Sequence, residues 1–139
     1  MKAITDLRLL FVFTAILEAI YCAASLLTPP HLVEPLFGWD MSADGHWALK
    51  LLGLALGVQA LTAWVLRREP PVAVAWCLAI YQVGATGVDI TLWAMLADDG
   101  IFAAPVAQAM MLTAIPTHFV LGVLLAIGAL RQREAPVHA

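Results

Sequence analysis

The stretch that decides the fold is Leu9–Leu27, LLFVFTAILEAIYCAASLL, an apolar run interrupted by one carboxylate at Glu18. A helix rises about 1.5 Å per residue, so about 20 apolar residues cross the roughly 30 Å of bilayer hydrocarbon, and this run is long enough. Three more such runs follow at Trp47–Leu66, Val72–Ala97 and Ile101–Leu130. Together they predict an all-α fold: an integral membrane bundle of four transmembrane helices forming a single domain over residues 1–139. The spans fall at about 9–28, 47–66, 72–97 and 103–130, with an outer loop at 29–46. Pro105 and Pro116 leave the start of the last span open and predict a kink below Pro116.

Composition points the same way. The chain is 63% hydrophobic and only 12% charged, with mean hydropathy +0.90, whereas charged residues make up about a quarter of an ordinary soluble domain. A formal charge of −3, with acids and bases confined to short segments, offers no basic face and excludes a nucleic-acid partner. Cys22 and Cys77 lie within apolar runs and form no C-x-x-C pair, so they read as small core residues. Lys2 and Arg8 ahead of the first run, with Cys22-Ala23-Ala24-Ser25 behind it, imitate a signal peptide. A bare signal core does not carry a central Glu18, and Tyr21 before Cys22 spoils a lipoprotein site, so the segment is expected to remain in the mature protein.

Thr5 and Asp6 are placed to cap the first helix, Ser42 or Asp44 the second, and Pro70-Pro71 to open the third. Lys2, Arg8, Arg67, Arg68, Arg131 and Arg133 share one side of a four-span chain, which the positive-inside rule makes cytoplasmic, with both termini there. Lys50 stands alone on the other side. Phe37, Trp39, Trp47 and Trp93 gather near that outer boundary, as an interfacial aromatic belt does.

Each span carries one polar group near the midplane: Glu18, Gln59, Gln82 and His118, about 12–21 Å in from the arginines at 1.5 Å per residue. Thr14, Glu18, Tyr21 and Ser25 form one helical stripe, and Gln82, Thr86, Asp89 and Trp93 repeat its spacing on the third helix. Two such stripes imply a shared polar seam that opens outward over a sealed inner half. An ionised group at the bilayer centre costs at least about 2.5–3.5 kcal/mol, so these residues are expected to face inward and find partners. Glu18, Asp89 and His118 are the candidate acid/base residues; Tyr21, Gln59, Gln82 and Trp93 are the candidate ligand contacts. Hydrogen bonds that only fasten helices together are the competing account of the same residues.

Gly53 and Gly57 form a G-x-x-x-G face, extended by Ala60, that suits close approach of another helix and offers a route to a homo-oligomer. Asp40-Met41-Ser42-Ala43-Asp44-Gly45 imitates half a calcium loop, but Leu51 stands where the bidentate Glu belongs. No H-E-x-x-H, C-x-x-C-H, P-loop, G-x-S-x-G or G-x-G-x-x-G is present, so no metal site and no cofactor is expected.

Several segments carry a resemblance: the first span ending at Pro29-Pro30, the Phe37-Gly38 pair, Leu51-Leu52-Gly53-Leu54-Ala55-Leu56-Gly57, and Thr117-His118-Phe119-Val120-Leu121-Gly122. In these the chain resembles small bacterial four-span proteins of the DoxX-like type. That resemblance covers most of the chain and implies the four-helix fold only, with no particular chemistry; the expected location is a bacterial inner membrane. Ala15-Ile16-Leu17-Glu18 looks like the first-span neighbourhood of small multidrug-resistance transporters, in which a Glu binds a proton or a cationic drug. Those transporters have tight loops, unlike the long 29–46 segment here, and only Glu18 carries over.

Three functions stay open at this level. The first is binding of a lipophilic small molecule that arrives through the membrane lipid, with an isomerase or cyclase activity run by the intramembrane acid/base groups. The second is proton-coupled transport through Glu18. The third is an accessory subunit of a larger membrane complex.

Overall fold

Asp6 starts the first helix, its carboxylate accepting the Arg8 backbone N–H at 2.9 Å, one of the four amides that a helix N-terminus leaves unpaired. The computed structural model describes residues 3–96, 99 and 102–134. Lys2, Ala97 and Ile101, which entered the expectations above, lie outside the described residues. Among the described residues, a 3-10 turn at Ala3–Thr5 is followed by five α-helices: α1 (Leu7–Leu27), α2 (Pro30–Phe37), α3 (Ala43–Leu66), α4 (Val72–Met95) and α5 (Pro105–Glu134). Among the described residues there is no strand. Four of the helices, all but α2, are long and apolar enough to cross a membrane.

Two helices, α1 and α3, start ahead of their apolar segments because their caps are polar. Ser42 accepts the Gly45 N–H at 3.3 Å and starts α3 at Ala43, ahead of the expected residue 47. Pro71 precedes α4, and Pro105 opens α5, where a missing N–H is harmless. Beyond it, α5 continues through Pro116 as one helix. The outer loop is not simply a loop. Pro30 occupies the first turn of α2, and Gly38 ends that helix at φ 71°, with its N–H donating to the Glu34 carbonyl at 2.8 Å. Only glycine takes this left-handed turn without steric cost.

Two antiparallel pairs make up the bundle, α1 with α3 and α4 with α5, joined chiefly through α1 and α5. The G-x-x-x-G face serves the first pair. A Cβ at Gly53 would lie 2.7 Å from Ser25 Cβ, and one at Gly57 2.8 Å from Cys22 Sγ. The close-approach motif is thus filled by α1 of the same chain. Cys22 is half-buried in that contact, whereas Cys77 faces outward, not into the core.

Leu7, Leu10, Phe11, Ala63, Leu78, Leu121 and Leu125 pack the half of the bundle nearest the arginines. Around the outside, Leu9, Phe13, Ile20, Leu61, Ile80 and Phe119 are each at least half exposed. In water such a collar would be a large unsatisfied apolar surface, and in a bilayer it meets lipid.

Lys50, the lone basic residue away from the arginine end, has a local task. Its Nζ donates to the carbonyls of Ser25 at 2.7 Å, Leu26 at 3.1 Å and Thr28 at 2.6 Å. These belong to the α1 C-terminus, where carbonyls lack helical donors and the helix dipole favours a cation. Lys50→Met is expected to destabilise the protein by about 1–3 kcal/mol and to speed amide exchange at the end of α1. Unfolding in detergent and hydrogen exchange by mass spectrometry check this; unchanged exchange at residues 24–28 would refute the capping role.

Candidate functional site

Glu18 and Gln82 are fully buried, each at 0% exposure, and His118 is buried at 9%. One amide joins all three. The Gln82 Nε2 donates to Glu18 Oε1 at 2.5 Å, and the Gln82 Oε1 accepts from His118 Nδ1. This is geometrically economical because a glutamine presents a donor and an acceptor on opposite sides of one planar group. With its carbonyl accepting, the Nδ1 nitrogen of His118 carries the hydrogen, and in the neutral imidazole Nε2 then keeps its lone pair.

The chain of bonds crosses from α1 through α4 to α5. Helical spacing places Glu18 between Thr14 and Tyr21 on the inward stripe of α1, with Thr14 buried and its hydroxyl donating to Leu10 O at 2.8 Å. On α4, Gln82 and Thr86 repeat the arrangement, and Thr86 donates to the Gln82 carbonyl at 3.1 Å and the Ile115 carbonyl at 3.4 Å. Both inferred polar stripes therefore face the interior.

Against this chain lies a cavity of about 740 Å³, within the size range of pockets that hold drug-sized ligands. Glu18, Tyr21, Tyr81, Asp89, Thr113 and His118 supply its polar wall, and Leu49, Leu56, Met110 and Met111 are among its apolar residues. The Tyr21 and His118 rings stack with centroids 6.0 Å apart. Two buried polar atoms among the lining residues have no partner, Glu18 Oε2 and Trp39 Nε1. Unpaired buried polar atoms are costly, and in a cavity wall these two are free to bond whatever polar group or water enters.

Of the residues singled out from sequence, Glu18, Tyr21, Asp89 and His118 converge on the cavity. Gln82 stands behind the wall and holds two of them. Gln59 and Trp93 are half-buried and do not line it. Sequence reasoning missed Tyr81, although a phenol at mid-span beside Gln82 was a readable signal. It also did not foresee that Phe37 and Trp39, read as part of an interfacial belt, line the cavity, with their rings 5.7 Å apart. The turn at Gly38, between them, was the available clue.

The cavity's flank lies between α3 and α4. Leu52 from one helix and Ile80 and Val88 from the other line it and are also exposed on the bundle surface, at 48%, 69% and 56%. Among the described residues, no three metal-ligating side chains converge there or elsewhere. No family model matches the chain, and neither a curated protein nor a solved structure matches it.

Proposed function

We propose that the cavity binds a lipophilic small molecule and that Glu18 and His118 exchange protons with it, as a cofactor-independent isomerase or cyclase inside the bilayer would. The observation that carries this reading is the Glu18–Gln82–His118 chain, whose two ends, Glu18 and His118, stand in the wall of a cavity with a largely apolar lining. By the positive-inside rule, the arginine end and both termini are cytoplasmic, and the cavity occupies the outer half. The exposed flank between α3 and α4 gives an apolar molecule a lateral way in from the lipid. A bacterial inner membrane suits this placement.

The chemistry needs only what these groups supply. His118 Nε2, as base, takes a proton from a carbon of the substrate, while Glu18, protonated on Oε2, gives one to another atom of the same molecule. Returning the proton from His118 to Glu18 restores both groups, so the reaction is an isomerisation that consumes no co-reactant. Asp89 and Trp39 Nε1 are placed to orient a polar group of the substrate. Transport would require a path from this cavity to the arginine end, across the packed Leu10, Phe11, Leu121 and Leu125, and this favours binding over transport.

Gly84 supplies the test, because it lines the cavity and a Cβ there would meet nothing within 4 Å. Wild type released from mild detergent into a native mass spectrometer is expected to carry a discrete small-molecule mass. The Gly84→Phe variant is expected to fold and to lose that mass, as its ring occupies the space. Retention of the same mass by Gly84→Phe, or its absence from wild type, would remove the reading.

A further inference from the structure

We infer that the arginine end holds a second site, for the phosphodiester headgroup of an anionic membrane lipid. A cavity of about 1020 Å³ opens there, lined by Arg8 from α1, Arg68 from the α3–α4 turn and Arg131 from α5. Its walls are tied together by α5: Arg131 donates to the Thr5 hydroxyl, and Gln132 Nε2 donates to the Pro70 carbonyl at 3.2 Å. The remaining two arginines of this end are not among the lining residues. Arg67 lies 3.7 Å over the Trp64 ring and donates to the Trp64 carbonyl. The placing of three arginines from three segments along one cavity is therefore selective, beyond the general positive charge of this end.

Charge and shape choose the ligand. Asp6 and Glu69 also line the cavity, and Asp6 is engaged in capping α1. Three guanidinium groups against two carboxylates leave one positive charge, which a phosphodiester, with its single negative charge, neutralises. Guanidinium forks suit phosphate oxygens bidentately. Pro70 and Pro71 bring the start of α4 to the same cavity, and that helix has neither a side-chain cap nor an acidic residue in its first turn. Its free N–H groups add further donors for an anion. A lipid fits better than a soluble phosphate because the residues beside the arginines are apolar and outward-facing. Leu9 follows Arg8 at 58% exposure and Leu130 precedes Arg131 at 47%, so acyl chains can continue from the headgroup along the helices.

The test uses the full chain in nanodiscs of phosphatidylglycerol and phosphatidylcholine in equal parts, followed by native mass spectrometry. Wild type and Arg67→Gln are expected to retain a phosphatidylglycerol preferentially. Arg68→Gln and Arg131→Gln are expected to retain it roughly tenfold less, each having lost a charge-assisted contact. Equal retention in Arg67→Gln and Arg68→Gln, or no preference over phosphatidylcholine, would overturn the site. Displacement of the lipid by glycerol phosphate would overturn the lipid assignment and give the site to a soluble phosphate. If Arg68→Gln does not fold, Arg68→Lys, which keeps charge but not the fork, is expected to fall between; retention equal to wild type would count against the site.

Discussion

Replacing Gln82 by leucine is expected to destabilise the bundle by about 2–4 kcal/mol and to abolish ligand retention together. The substitution removes both hydrogen bonds that cross from α4, one to Glu18 and one to His118. Interhelical hydrogen bonds in membranes contribute only about 0.6 kcal/mol each on average, so their direct loss is the smaller part. The larger part comes from stranding Glu18 Oε1 and His118 Nδ1, since a buried polar group without a partner costs about 1–3 kcal/mol. Removing all three polar groups strands nothing. Glu18→Leu/Gln82→Leu/His118→Leu is therefore expected to recover most of the stability lost in Gln82→Leu, as apolar replacement of a whole buried network often does. That variant separates fastening from function: it is expected to be stable and empty. Unfolding by denaturing detergent and native mass spectrometry, run on the same samples, give the two readouts. A neutral Gln82→Leu would show that the bonds are not formed, and a stable triple variant that still retains the wild-type ligand would reduce the chain to a helix fastener.

How far the sequence disclosed this arrangement depends on the physical range of each signal. The four spans were legible because hydrophobic length is a local property set by bilayer thickness, and Asp6, Ser42 and Pro71 mark helix starts by local chemistry as well. The inward direction of Glu18 and Gln82 was legible too, from helical spacing and from the cost of turning such groups toward lipid. Their partnership with His118 was not, because periodicity gives a face on each helix but not the rotation and depth at which three helices meet. The place of Trp39 in the cavity wall was not legible for a related reason. An aromatic residue near a span end fits a lipid interface equally well whether or not the chain folds back over the bundle, and here the decision rests on the backbone turn at Gly38. Lys50 looked like an exception to a rule about topology. Its real determinant is the unpaired end of α1, which only the tertiary fold brings within reach.

The G-x-x-x-G face yields the sharpest test of the bundle's architecture, because its two glycines fail differently when filled. At Gly57 an added Cβ meets only the Cys22 sulfur at 2.8 Å, the next atom being Cys22 Cβ at an ordinary 3.8 Å. At Gly53 the obstacle at 2.7 Å is the Cβ of Ser25, fixed to the α1 backbone, with Leu26 side-chain atoms at 3.1 and 3.2 Å. A sulfur at the end of a side chain can be removed, whereas a Cβ can be avoided only by moving the helix. Gly57→Ala in the wild-type background is thus expected to cost about 1 kcal/mol, the low end of overpacking, and close to nothing in Cys22→Ala. Gly53→Ala is expected to cost about 2–3 kcal/mol whether or not Ser25→Ala is present, because alanine keeps the obstructing Cβ. Both losses should appear as unfolding of a single chain, independent of protein concentration, since the crowded contact lies between α1 and α3 of one molecule. Concentration-dependent dissociation in Gly53→Ala, with each subunit still folded, would instead assign this face to a second copy and require α1 to sit elsewhere.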